Sequence, residues 1–241
     1  MKISVVVPAY NEEKLLGDTL RHIRCAMRSF QVISWEAELI VCDNNSNDQT
    51  ARIAAAEGAR VVFEPINQIS RARNAGAAAA TGEWLVFVDA DSRPSPELFA
   101  AVAQQIRSGT CLGGGAVVNM PSVRFWLRPF IWLWNSLSLS ARWMAGSFIF
   151  CRRDAFREVD GFSKELYVSE ELDFSQKLKR LARQKGMRIV ILKNTPLETS
   201  DRKLHLYGPR DFLKMVWQTI IQRGRNFRTR AGCPVWYDGR R

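Results

Sequence analysis

The 241-residue chain is 46% hydrophobic and 24% charged, usage that supplies one sizeable core and excludes a disordered or low-complexity chain. Its formal net charge of +11, with a pI near 9.9, favours anionic partners such as phosphate-rich ligands, membrane surfaces or nucleic acid. From residue 201 onward ten Lys or Arg stand against three Asp, so the basic excess is concentrated in the C-terminal tail.

The opening Ile3 to Val7 is a nearly continuous β-branched run, the pattern of a strand buried on both faces of a parallel sheet. It meets Pro8 and then acids, and so lacks the length and flanks of a signal peptide. Leu16, Leu20, Ile23, Met27 and Phe30 recur at steps of four and three, which predicts a helix packed back on the sheet. Glu38 to Asp43 reads as the second strand and completes a β-α-β unit. Ser46 and Gln49 have the spacing of a capping box for the next helix, and Gly58 supplies a left-handed stop. Arg60 to Glu64 follows as a strand, Ser70 to Thr81 as an alanine-rich helix, and Trp84 to Val88 as an apolar strand ending in Asp89-Ala90-Asp91. Ser95 and Pro96 open another helix as N-cap and first-turn proline. Beyond it, strands are expected at Leu112 to Met120, Ser147 to Cys151 and Arg188 to Leu192, and helices at Glu170 to Gln184 and Pro209 to Arg223.

This alternation predicts an α/β fold with a mostly parallel central sheet and helices on both faces. The five cysteines form no C-x-x-C pair and read as buried free thiols of a reducing cytosol. The stretch Phe125 to Trp143 is interrupted by Arg128, Pro129, Asn135 and Arg142, so it should not cross a bilayer. Its aromatics beside arginine suit an interfacial helix on anionic lipid, with the basic tail adding attraction; covering the core is the alternative.

In an open α/β sheet the ligand lies beyond the carboxyl ends of the strands. Three strand ends carry Pro8-Ala9-Tyr10-Asn11-Glu12, Asp43-Asn44-Asn45-Ser46 and Asp89-Ala90-Asp91. Alternate carboxylates at a strand end can point to one side and offer the oxygen ligands that a hard divalent cation takes. A solvated turn would also use these residue types, but not at three strand ends together. The turn after the first strand lacks the glycines of a nicotinamide-binding site and the Gly-rich basic loop of a sugar nucleotidyltransferase.

These segments, together with ISRARNAGAAAATGEWLVFVDADSRP, MAGSFIFCRRDAFREVDGF and SEELDFSQKL in that order, resemble the inverting glycosyltransferases of family 2, which have the Rossmann-like GT-A fold. The resemblance implies one GT-A domain over 1–208, with a nucleotide-sugar half at 1–110 and a small acceptor-side region at 111–208. An amphipathic helix and basic tail would follow over 209–241. It implies that Pro8, Ala9, Tyr10 and Glu12 line a nucleoside pocket, and that Asp43 accepts a hydrogen bond from the base. Asp89, beside Ala90, would contact the ribose or donor sugar, Arg71 or Arg73 would approach the donor, and Asp91 would hold Mn²⁺ or Mg²⁺. His205 lies where some members place a further metal ligand or a phosphate contact. Glu171 takes the position of the general base, with Glu170 as the competing assignment because Glu replaces the family's first Asp. Gly146 and Asp173 fall on the acceptor side. The resemblance implies a nucleotide diphosphate sugar donor, UDP- or GDP-linked, and an acceptor hydroxyl, lipid-linked or on a cell-envelope glycan precursor. The expected setting is cytoplasmic, peripheral on the inner face of the membrane, with no nucleic acid bound. The rival expectation is a non-catalytic basic module, binding membrane or nucleic acid on a degenerate transferase fold.

Overall fold

The computed structural model describes residues 1–202. Strands and helices alternate first as β1 (Lys2–Ala9), α1 (Leu16–Gln31), β2 (Glu36–Asp43), α2 (Thr50–Ala56), β3 (Arg60–Phe63), α3 (Ile69–Ala79) and β4 (Trp84–Val88). There follow β5 (Ser92–Arg93), α4 (Pro96–Arg107), β6 (Cys111–Asn119), α5 (Arg128–Ala141), β7 (Phe148–Arg152), α6 (Arg153–Glu158), α7 (Glu170–Gln184) and β8 (Arg188–Thr199). They build one sheet in the order β3-β2-β1-β4-β7-β6-β8-β5. The four strands from β3 to β4 are parallel, β7 runs antiparallel between β4 and β6, and β8 is parallel to β6.

Alternate residues of the central strands feed two cores, as the two-residue period of a strand requires. Ile3, Val5 and Val7 of β1 and Trp84, Val86 and Val88 of β4 share one cluster with Leu16, Leu20, Ile23 and Phe30 of α1 and Phe99 of α4. Val6, Leu85 and Phe87 face the other side and pack with Ala77 of α3, Phe156 of α6 and Phe174 and Leu178 of α7. Gly76 is what lets α3 lie so close to the sheet, since a Cβ there would meet Val6 Cγ1 at 2.4 Å. β1 leads to β2 on one side while β4 lies on its other side, so strand order reverses beside β1 and a crevice opens at the carboxyl ends.

Several local expectations are corrected. The capping box does not form: α2 begins at Thr50 with no side-chain cap, because the Ser46 hydroxyl accepts from the Asn11 amide instead. β8 runs on to Thr199, pairing with β6 and then β5, well past the expected Leu192. Cys42, Cys111 and Cys151 are buried thiols, but Cys25 is exposed on α1. The predicted cap at Ser95 does form, its hydroxyl accepting from the Leu98 amide. The expected helix at Pro209 to Arg223, the remainder of the 209–241 tail and His205 lie outside the described residues.

Candidate active site

A cavity at the crevice is lined by Pro8 and Ala9 at the end of β1, Tyr10 and Glu12 beyond it, Asn44 after β2, Asn67 and Ile69 at the start of α3, and Asp89, Ala90 and Asp91 after β4. Six of the residues expected at a donor pocket therefore do line one cavity, together with Asp91. Asp43, next to Asn44, does not line the cavity: it is buried, and its Oδ1 accepts from the Ser46 amide at 3.1 Å. Asn44, which sequence reasoning did not single out, organises this part of the cavity. Its side-chain oxygen accepts from the Gln68 amide, and its nitrogen donates to the carbonyls of Glu64 and Ile66.

The two arginines of α3 differ sharply. Arg71 is partly exposed and its Nε donates to Gln68 Oε1 at 3.0 Å. Arg73 is only 1% exposed. Its Nη1 donates to Glu170 Oε1 at 2.7 Å, and its Nη2 donates to Asp89 Oδ1 at 2.9 Å and to the Gly146 carbonyl at 2.7 Å. Its guanidinium also lies 5.2 Å from the Phe162 ring centroid. A charge taken this far from water needs compensation by neighbouring opposite charge, and here two carboxylates supply it.

The helix α7 begins with Glu170, Glu171 and Asp173 in its first turn, where acids complement the helix dipole. Glu170 is buried, whereas Glu171 is partly exposed beside it. Burial and then the neighbouring Glu171 push the Glu170 carboxyl up to about 8, against the pull of Arg73. Burial likewise raises Glu171, again opposed by Arg73. Such interacting acids titrate as a group. Asp173 is turned to Lys177, with which it pairs at 2.8 Å one helical turn on. The Gly146 backbone closes this side: a Cβ there would lie 3.3 Å from Arg73 Nη2 and 3.5 Å from Glu171 Cγ.

Arg202 is a site residue that sequence reasoning missed. Its Nη2 donates to both oxygens of Glu12, at 2.9 and 3.0 Å, and stands 3.9 Å from Asp91 Oδ2. A separation of 190 residues leaves no local signal for this pairing. Among the described residues no group of three His, Cys, Asp or Glu converges as a ready-made metal cage. Asp91 on a cavity wall still suits Mg²⁺ or Mn²⁺, because such ions use one or two carboxylates and complete their shell with water and substrate phosphate oxygens.

The mostly parallel sheet, its reversal beside β1 and the acidic strand ends define a GT-A glycosyltransferase fold. Residues 4–160 match the family model of glycosyl transferase family 2, and the chain belongs to that family. It is 39% identical over 89 residues to an uncharacterised glycosyltransferase of Mycobacterium tuberculosis, covering 37% of this chain and 36% of that protein. It is 31% identical over 115 residues to the undecaprenyl-phosphate 4-deoxy-4-formamido-L-arabinose transferase of Klebsiella pneumoniae, covering 45% and 34% of the two chains. The matched segments thus span about a third of these relatives' length. The mannosyltransferase PcManGT from Pyrobaculum calidifontis, solved with GDP-Man and Mn²⁺, superposes with a TM-score of 0.67 at 19% identity, over 94% of this chain and 62% of that one. That likeness is one of fold.

Proposed function

We propose that the protein transfers a sugar from a nucleotide diphosphate sugar, UDP- or GDP-linked, to an acceptor hydroxyl with inversion at the anomeric carbon. The observation that carries this reading is the meeting of the cavity after β1, β2 and β4 with the acidic start of α7, through Arg73 and Asp89. Pro8, Ala9, Tyr10 and Glu12 take the nucleoside, with Asp43 receiving the base, and Asp89 meets the ribose or donor sugar. Arg71, the more accessible arginine of α3, suits a phosphate oxygen through charge-assisted hydrogen bonds.

The acceptor oxygen attacks the anomeric carbon from the face opposite the nucleotide, and the carbon–oxygen bond to the diphosphate breaks. Glu171 takes the hydroxyl proton as the new bond forms and later returns it to solvent. Its partial exposure beside the buried Glu170 supports this choice of base. Gly146 and Asp173 border the acceptor. Asp91, with His205 as a further candidate, would hold Mn²⁺ or Mg²⁺, and a bound cation neutralises charge on the departing diphosphate. The family relationship, a relative named for undecaprenyl phosphate and a fold neighbour holding GDP-Man and Mn²⁺ support the same reading.

The acceptor is lipid-linked or a cell-envelope glycan precursor, reached by peripheral contact with the anionic cytoplasmic face of the membrane. No helix among the described residues is long and apolar enough to cross a bilayer. The test is a donor-hydrolysis and transfer screen over nucleotide sugars with Mn²⁺, followed by NMR assignment of the product anomer. The reading expects turnover of one donor class with inversion and its loss in Asp91→Ala. Turnover of no donor, or retention of configuration, contradicts it.

A further inference from the structure

The sequence leaves two adjacent carboxylates competing for one chemical role, and the surroundings of Arg73 separate them. Its guanidinium touches three parts of the site at once: the β4 end through Asp89, the loop before β7 through the Gly146 carbonyl, and the start of α7 through Glu170. Glu170 is thereby committed at 2.7 Å to a cation that is itself out of water, while the Glu171 side chain next to it packs toward Gly146 and keeps a solvent-facing part. Phe162 holds the guanidinium from beneath, backed by Phe174 at a centroid distance of 4.6 Å. A planar fork fixed at this many points cannot follow a substrate, so its effect is exerted through the carboxylates it holds.

We propose that Arg73 is a positioning residue that divides the labour of the two glutamates: it claims Glu170 as a structural partner, leaves Glu171 as the group that takes the acceptor proton, and keeps both in register with Asp89. This inference rests on the transferase reading above. The charged groups that bear on Glu171 are Arg73 from α3, Asp89 from the β4 end and Glu170 on its own helix. Asp89 opposes ionisation of Glu171, whereas Arg73 and the side-chain hydrogen bond with Glu170 favour it. A base must be ionised to accept a proton, so loss of the guanidinium charge moves the acidic limb of the pH–rate profile to higher pH.

The experiment compares four variants of the full chain, each checked for cooperative thermal unfolding, over the pH profile of kcat/KM with the donor found active in the screen. Glu171→Gln should lose about 10²- to 10⁴-fold, because an amide cannot take the proton. Glu170→Gln keeps an oxygen to accept from Arg73 Nη1 and should lose about tenfold or less. Arg73→Gln should shift the acidic limb upward by about one pH unit or more, as removal of a close opposite charge does. Arg73→Lys keeps the charge without the fork, and should lower kcat while leaving that limb within about half a unit; it decides the matter if the Gln variant does not fold. A Glu170→Gln protein as inactive as Glu171→Gln overturns the proposal, as does a folded Arg73→Gln protein whose limb stays in place, or a Lys variant with wild-type kcat. Absence of turnover by the wild-type chain instead defeats the transferase reading, and turnover lost in Glu171→Gln but untouched by any change at Arg73 or Glu170 defeats only the role of Arg73.

Discussion

Two glycines show how differently the same added methyl is felt. At Gly114, on β6, a Cβ would stand 2.0 Å from the Val190 carbonyl of the neighbouring strand, where backbone cannot yield. Gly114→Ala should destabilise the fold by ~3 kcal/mol or more, read as a lowered denaturant midpoint. At Gly146 the methyl would instead touch the ends of Arg73 and Glu171, at 3.3 and 3.5 Å, and these can give by small amounts. Gly146→Ala should keep a near-wild-type midpoint while kcat falls about tenfold, since displacing the proposed base by a fraction of an ångström costs rate before it costs stability. Equal loss of stability in the two variants would contradict this distinction. The same scale shows where sequence reading stops. The acids at the strand ends were legible because a loop beyond a buried strand has few reasons to collect Asp and Glu. The burial of Arg73 was not, because an arginine in an alanine-rich helix reads as a solvated face until Asp89 and Glu170 arrive from distant segments to neutralise it.

Among the elements, β4 over Trp84–Val88 and α7 over Glu170–Gln184 match their expected bounds, each having one unbroken period and a clear stop. β8 outruns its expected bound because Lys193 to Thr199 is mostly polar and contains Pro196, and its pairing with β6 and β5 overrides that weak pattern. The join of β1, β2 and the α3–β4 turn rests on Glu38, which accepts from Ser4 Oγ at 2.5 Å and from the Thr81 amide at 2.7 Å, with Lys2 Nζ at 3.3 Å. Burial pushes this carboxyl up, but the hydrogen bonds outweigh it and hold it near 2, below an ordinary value of 4.5. A depressed folded-state value stabilises the native state above the ordinary value and is lost on acidification. The stability gap between wild type and Glu38→Gln should therefore be full at neutral pH and close between about pH 4.5 and 2, as followed by urea unfolding. A gap independent of pH would remove the ionic part of the account.

The helix α5 inverts the usual pattern of a surface helix. Asn135 faces inward, exchanging hydrogen bonds with the Val118 backbone, while Phe130, Trp132, Leu133 and Leu137 are exposed, Trp132 at 71%. No acid occurs between Glu97 and Asp154, Arg128 opens the helix, and Arg124 and Arg142 flank it. Phe130→Glu with Trp132→Glu should weaken sedimentation with anionic liposomes by about tenfold or more, given ~1.5–3 kcal/mol per buried aromatic. Binding unchanged by the pair would contradict a lipid contact through α5.

For the whole molecule, the order of strands around β1 gathers segments from residues 8 to 202 at one edge of the sheet, and this convergence is what the ordered motifs of the sequence already implied. What they did not imply is the closing contact from Arg202, which sets a guanidinium against Glu12 beside Asp91. The domain division at residue 208 stands as a proposal. Titration calorimetry of UDP- and GDP-sugars, with and without Mn²⁺, on wild type and Asp91→Ala tests the central claim most directly. One donor class should bind the wild type with a clear dependence on Mn²⁺, and Asp91→Ala should abolish that dependence. Binding that ignores both the cation and the substitution, and only fades as salt is raised, would contradict the account.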